Sequence, residues 1–275
     1  MSYLQNFKYE ITPEPHAHKL VFLHGVMGSA ANWRRVIPAF QKDFQVLAYD
    51  QRGHGWSFKP ASGYTPEDYS LDLKMILDEL GWNKISLVGH SMGGRNALHF
   101  AQKYPQRIEA LVIEDIGPEG NVDAMKKTIA MVEMVPAPFS SKLAAKEYFE
   151  HQFVEKLGGG PGAQVLGQYF YTNIENRPDG TADWRFSKNA ILSSLLSGHF
   201  KPRWDAVEDL RIPTLFVRGE HSNDFPRVEY DKVLAVNPAI RGVEVAGAGH
   251  WVHFDKPQEF VAVVRGFLSE ILGHF

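Results

Sequence analysis

Leu87-Val88-Gly89-His90-Ser91-Met92-Gly93-Gly94 is the stretch on which the fold assignment turns. It contains a G-x-S-x-G pattern where an apolar run gives way to a helical one, a turn tight enough to need glycine on both sides of the serine. Such a turn lifts the serine hydroxyl clear of the backbone for attack on a carbonyl. The pattern by itself is short enough to arise by chance, so its flanks carry the inference. Residues 84–88 read as a short buried strand and 95–101 as a helix ended by Pro105, the strand-turn-helix setting the pattern requires. A serine that merely caps a helix is the plainer alternative.

Outward from this turn, strand and helix patterns alternate. Strands are expected over 20–24, 44–49, 84–88 and 108–113, with helices over 30–40, 66–80 and after Ser91. Such alternation implies right-handed crossovers and an α/β fold built on a mainly parallel, doubly wound sheet. From Gly117-Pro118 to Pro202 the alternation stops and aromatic-rich, mostly helical pieces take over, broken at Pro136, Pro138 and Gly158-Gly159-Gly160-Pro161-Gly162. That glycine run lacks the G-K-[ST] ending of a phosphate loop and follows no strand, so it reads as a flexible turn. The expected organisation is a core domain of residues 1–117 and 203–275 with a helical cap, 118–202, inserted into it. The cap's Phe139, Phe149, Phe153, Tyr169, Phe170, Tyr171, Trp184 and Phe186 would supply an apolar roof or the cap's own core. The sheet resumes over 214–217 and 242–245, and a helix over 257–272 carries Phe260, Val261, Val264, Phe267, Leu268 and Ile271 on one face.

A serine hydroxyl is a weak nucleophile at neutral pH and needs a base to take its proton and an acid to orient that base. His250 is the candidate base. It lies in Ala246-Gly247-Ala248-Gly249-His250-Trp251, a glycine-rich loop directly after the last strand, from which an imidazole can reach over the strand ends toward Ser91. For the acid the residues leave a choice. Many proteins of this architecture carry it after the strand that follows the cap. Here that segment reads Arg218-Gly219-Glu220-His221-Ser222-Asn223-Asp224, with Ser222 where an aspartate ordinarily follows Gly-Glu-x. Asp115, in Val112-Ile113-Glu114-Asp115-Ile116-Gly117-Pro118, instead ends the strand before the cap, at the carboxyl edge where ligands gather in open α/β sheets. Asp115 is favoured, with Asp224, Glu114 and Glu220 as alternatives; a turn cap ahead of Gly117-Pro118 is its purely structural reading. Backbone amides of Met92 and of Val26, in His24-Gly25-Val26-Met27-Gly28-Ser29, are the candidate oxyanion donors.

The remaining features mostly exclude. Asp50-Gln51-Arg52-Gly53-His54-Gly55-Trp56-Ser57 reads as a structural turn in which Asp50 and Arg52 satisfy buried backbone groups. His24, His54, His90 and His250 lie on separate loops without carboxylate-rich metal spacing, so neither a metal nor another cofactor is expected. The 275 residues are 44% apolar, enough for a substantial core, and contain no cysteine, which removes disulfides and thiolate chemistry. A formal charge of −3 without any Lys/Arg run gives no attraction to nucleic acid or anionic lipid. No apolar stretch is long enough for a membrane span and the first residues lack a secretory pattern, so the expectation is a cytoplasmic protein whose partners are a small-molecule substrate and water.

Together His24-Gly25-x-x-Gly28-Ser29, Asp50-x-Arg52-Gly53-His54-Gly55-x-Ser57, Gly89-His90-Ser91-Met92-Gly93-Gly94 and Gly249-His250 resemble the α/β-hydrolase superfamily in order and spacing over nearly the whole chain, least between 120 and 205. Within it the chain resembles small bacterial carboxylesterases, related to mitochondrial abhydrolase proteins. These carry Asp-Ile-x-Pro after the sixth strand, here Asp115-Ile116-Gly117-Pro118, and Gly-His-Trp-Val-His near the end, here Gly249-His250-Trp251-Val252-His253. The resemblance implies a cap inserted after the sixth strand and Asp115 as triad acid. Ser222 departs from the wider pattern, as does a front end of only about eighteen residues before the first long strand, which leaves room for a short hairpin at most. The expected activity is a cofactor-free serine carboxylesterase acting on small to medium apolar esters or thioesters. A perhydrolase, a haloperoxidase or a carbon–carbon bond hydrolase would use the same triad, and a ligand receptor of low turnover would keep the fold.

Overall fold

The computed structural model describes residues 2–13, 18–199 and 202–273. Its centre is a sheet of seven strands: β1 (Tyr9–Ile11), β2 (His18–Leu23), β3 (Phe44–Tyr49), β4 (Ile85–His90), β5 (Ile108–Glu114), β8 (Thr214–Gly219) and β9 (Arg241–Val245). They lie in the order β1-β3-β2-β4-β5-β8-β9, every pair parallel except β1 with β3. Parallel strands buried on both faces read as continuous apolar runs, as Leu20-Val21-Phe22-Leu23 does. Leu20 and Phe22 face a layer closed by helix α11 (Pro257–Leu272) through Phe260, Val264 and Leu268. Val21 and Leu23 face the opposite layer, covered by α1 (Pro66–Glu79) and α2 (Met92–Lys103) through Leu73, Ile76, Leu98 and Phe100.

Local signals explain most boundaries. Thr65 and Asp68 cap the start of α1 reciprocally, with Pro66 in its first turn. The helix expected over 30–40 is instead two 3-10 turns, Ala30–Trp33 and Ile37–Ala39. Pro38, in the first turn of the second, has no amide to donate to the Arg34 carbonyl, so a continuous α-helix through this point would lose a bond. The strand before the insertion is the fifth among the described residues and not the sixth. The short leading segment provides one strand, β1, pairing Tyr9–Ile11 with β3, where a hairpin would have provided two.

Between β5 and β8 the chain leaves the sheet. It forms α3 (Val122–Glu133), α4 (Lys142–Glu147), a π-helical stretch over Tyr148–Gln152, α5 (Phe153–Lys156), α6 (Gly160–Tyr171), a hairpin of β6 (Ile174–Asn176) and β7 (Ala182–Trp184), and α7 (Lys188–His199). The glycine run makes a turn through Gly158 and Gly159 at positive φ, but α6 begins inside it, at Gly160, with Pro161 in its first turn. The insertion's aromatic residues form a separate apolar cluster centred on Phe149, Phe153 and Phe170, joined from the sheet side by Met27. Helices α8 (Trp204–Glu208), α9 (Arg227–Val236) and α10 (Val252–Asp255) complete the chain. Among the described residues no helix is long and apolar enough to cross a membrane.

Candidate active site

Only three described non-glycine residues have positive φ: Met27 (59°), Ser91 (53°) and Asp115 (52°). They follow β2, β4 and β5, three neighbours in the sheet, so the strained backbone collects at one carboxyl edge. At Ser91 the turn is enforced by close approach. A Cβ on Gly89 would lie 2.4 Å from the Gly93 carbonyl oxygen, and one on Gly93 would lie 2.3 Å from that of Leu23. No side chain fits either place. Ser91 itself is half-buried, and its N–H donates to the Glu114 carbonyl at 3.0 Å, which ties the turn to the end of β5.

The structure brings Asp115 and His250 together. Asp115 is fully buried, and its Oδ2 lies 2.8 Å from His250 Nδ1 while Oδ1 accepts the Gly219 N–H at 2.8 Å. The Ser222 hydroxyl donates a further hydrogen bond to Oδ2. The serine standing where an aspartate was expected therefore serves as a donor to a carboxylate on the neighbouring strand. That role was not legible from the sequence, which shows only the missing aspartate. Asp224 is a second carboxylate on the same imidazole nitrogen, at 3.7 Å, with over a third of its side chain exposed. Glu114 is committed to His253, and Glu220 accepts the Gly247 N–H. Burial pushes the Asp115 carboxyl up from its ordinary range, against the pull of its hydrogen bonds. For His250 burial acts to lower the pKa, yet the hydrogen bond to Asp115 and the charges of Asp224, Asp115 and Glu114 outweigh it and raise it to about 9.

The loop after β2 is braced from beneath. Gly25-Val26-Met27-Gly28 forms a turn closed by Gly28 N–H to the Gly25 carbonyl at 3.0 Å. His24 Nδ1–H donates to that same carbonyl at 2.8 Å while its Nε2 accepts the Gln51 N–H at 2.9 Å. Burial lowers the His24 pKa to about 4, so it stays neutral in this role. The Met92 N–H opens α2 and has no intrahelical acceptor. Asp50 accepts the backbone N–H groups of Ala30 and Trp56, as expected of a structural turn. Arg52 departs from that expectation, pairing chiefly with the side chain of Asp72 and donating once to the Gly63 carbonyl.

Ser91, His250, Val26 and Met92 all line one cavity of about 580 Å³ between the sheet edge and the insertion. Of the eight aromatic residues expected to form either a roof or the insertion's own core, Tyr169 and Phe170 line the cavity and the others belong to the insertion's apolar cluster. The lining is mixed, with Met125, Leu166 and Leu195 beside Arg95, Asn121 and Lys127. Arg95 lies one helical turn beyond Ser91, and burial lowers its pKa to about 10, which leaves it a cation at neutral pH.

His90, Glu114 and His253 form the one group among the described residues that places ligating atoms within 4.8 Å of one another. Most of their ring nitrogens and carboxylate oxygens make hydrogen bonds. His253 Nδ1 donates to Glu114, His90 Nε2–H donates to the His250 carbonyl at 2.9 Å, and a Cβ on Gly25 would lie only 2.8 Å from His90 Nδ1. In the structure the three side chains form a hydrogen-bonded cluster.

Residues 19–257 match the family model described as the alpha/beta hydrolase fold, and the chain belongs to that family. Its relatives include an sn-1-specific diacylglycerol lipase, ABHD11, of Mus musculus, 33% identical over 91% of this chain and 80% of that protein. The esterase YbfF of Escherichia coli is 27% identical over 91% of this chain and 93% of its own length. A solved structure described as a marine microorganism esterase superposes with a TM-score of 0.81 at 26% identity, covering 95% of this chain and 99% of that one. An ester-cleaving hydrolase is the class of enzyme into which the chain falls.

Proposed function

We propose that the protein is a serine carboxylesterase in which Ser91 is the nucleophile, His250 the base and Asp115 the acid. One observation carries this reading: a fully buried carboxylate with three hydrogen bonds holds the Nδ1 side of an imidazole that shares a cavity with the serine of a strained strand-to-helix turn. Nδ1 occupied by Asp115 leaves Nε2 to take the proton from Ser91 as its oxygen attacks the acyl carbon. The oxyanion is met by the amides of Val26 and Met92, which line the same cavity as the serine. His250 then gives its proton to the leaving alcohol, and in the second half it draws a proton from water as that oxygen attacks the acyl carbon and passes it to the departing Ser91 oxygen, which releases the acid and restores the serine. The chemistry uses side chains and backbone alone, with no cofactor.

Residues 118–202 serve as the cap over this centre. A cavity of about 580 Å³ suits small to medium esters or thioesters, and its mixed lining favours acyl or alcohol groups that combine apolar and polar parts. Incubation with a fluorophosphonate probe followed by peptide mapping tests the assignment. Modification at Ser91, its loss in Ser91→Ala, and release of p-nitrophenol from short-chain esters are expected. Absence of labelling and turnover in folded protein would favour a ligand receptor instead.

A further inference from the structure

Glu114 and Asp115 stand next to each other at the end of β5, and each holds one histidine of the segment that follows β9. Asp115 takes His250, and Glu114 takes His253. Glu114 Oε1 accepts both the His253 backbone N–H and its Nδ1–H at 2.8 Å, and Oε2 lies 3.0 Å from the same ring nitrogen. Both side chains are buried, at 0% and 2% exposure. The His253 ring lies against Trp33 with centroids 4.4 Å apart, and His90 meets it edge-on at 4.9 Å. His90 in turn donates to the His250 carbonyl. The backbone from which His250 hangs is thus fixed on both sides, by His90 from the nucleophile's strand and by Glu114 from the strand beside it.

Resting on the serine hydrolase reading above, we propose that the Glu114–His253 pair is a second carboxylate–imidazole clamp whose task is to position His250 for proton transfer. Stability alone does not account for it, because replacing both partners of a buried hydrogen bond by apolar groups of the same shape can be nearly neutral. Its place does. Removing the clamp frees the short stretch between His250 and His253, and a misplacement of about 1 Å at a reacting group can cost about a hundredfold in rate. The groups acting on His250 are Glu114 at the end of β5 and Asp115 just after it, Asp224 from the loop after β8, and His90 from β4, with His253 from α10 on the far contact of His90. Glu114 adds negative charge to that set, which favours the imidazolium formed when Ser91 gives up its proton.

Two variants test the inference. Glu114→Gln removes the charge while keeping an acceptor; Glu114→Met with His253→Phe replaces the pair by apolar groups that still pack on Trp33. The double variant is expected to melt close to the parent. Both variants should lose kcat by roughly ten- to a hundredfold with KM little changed, and the inflection of their kcat/KM profile should move to lower pH. If Glu114→Gln does not fold, the double variant decides alone. Parental kcat and an unmoved pH profile in a folded double variant would overturn the proposal, leaving the pair a packing element. Failure of the parent protein to react with fluorophosphonate at Ser91 would instead remove the serine reading, and this inference with it.

Discussion

Asp115 and Asp224 compete for one imidazole nitrogen, and their surroundings separate them. Asp115 is sealed from water and fixed by Gly219 and Ser222, whereas Asp224 is 3.7 Å away and partly solvated. A carboxylate that must hold one tautomer of a histidine works through a direct, oriented hydrogen bond, so Asp115→Asn should lower kcat by about 10⁴. Asp224→Asn acts only through charge. The base must be neutral to accept a proton, so kcat/KM rises with pH and levels off above the His250 pKa, which is raised to about 9. Taking away the Asp224 charge makes the imidazolium less favourable, so in Asp224→Asn the inflection moves to lower pH. Water around Asp224 screens that charge, and the shift should be less than about one unit. Profiles of kcat/KM against pH for the three proteins measure both effects. Reversal of the two kcat losses would transfer the acid role to Asp224.

The strands β5 and β8 are neighbours, and the carboxylate on Nδ1 can come from the end of either. Here β5 supplies it and β8 supplies the Ser222 hydroxyl that supports it. Exchanging the two should therefore work in part. Relative to Asp115→Asn alone, Asp115→Asn with Ser222→Asp is expected to regain at least tenfold in kcat, roughly the worth of one hydrogen bond to a charged group. No recovery would mean that the positive φ of Asp115 aims its carboxylate along a path that β8 cannot reproduce. This division of labour also marks what could be read from the sequence. Ser91, Val26, Met92 and His250 stand out as candidates through glycine-bearing turns after strands, and long periodic elements such as α1, α11 and β3 fall where apolar spacing puts them. Ser222 with Asp115, and His253 with Glu114, are pairings across 107 and 139 positions that no local pattern encodes. The hairpin of β6 and β7 has strands of three residues, too short for an alternation to show, and the helix expected over 30–40 is two 3-10 turns, the second with Pro38 in its first turn.

Two apolar bodies, the layered sheet and the insertion's own cluster, meet around the cavity, and the proposed chemistry is carried by the first alone. Hydrogen bonds tie the two at several points, among them the Tyr169 hydroxyl to the Val26 carbonyl at 3.2 Å, the Ser187 N–H to the Gly53 carbonyl at 2.8 Å, the Asn189 amide to the Ala61 carbonyl at 3.1 Å, and the 2.7 Å bond that Tyr69 and Ser194 share, and none of these involves Phe149, Phe153 or Phe170. A cavity opened in the insertion's cluster should then loosen the roof while the catalytic edge persists. Phe153 is fully buried among Phe149, Tyr148 and Phe170 and touches none of the groups proposed to react. Phe153→Ala removes enough buried surface to cost about 3–5 kcal/mol locally. Hydrogen exchange should quicken across 122–199 while protection of β2, β4 and β5 is kept. Fluorophosphonate labelling of Ser91 should continue, since the probe needs only the sheet-borne groups, whereas KM for esters should rise as Leu166, Tyr169 and Phe170 lose their fixed places on the cavity wall. If protection falls equally in the sheet, the two bodies unfold as one and the cap is not a separate unit of this protein.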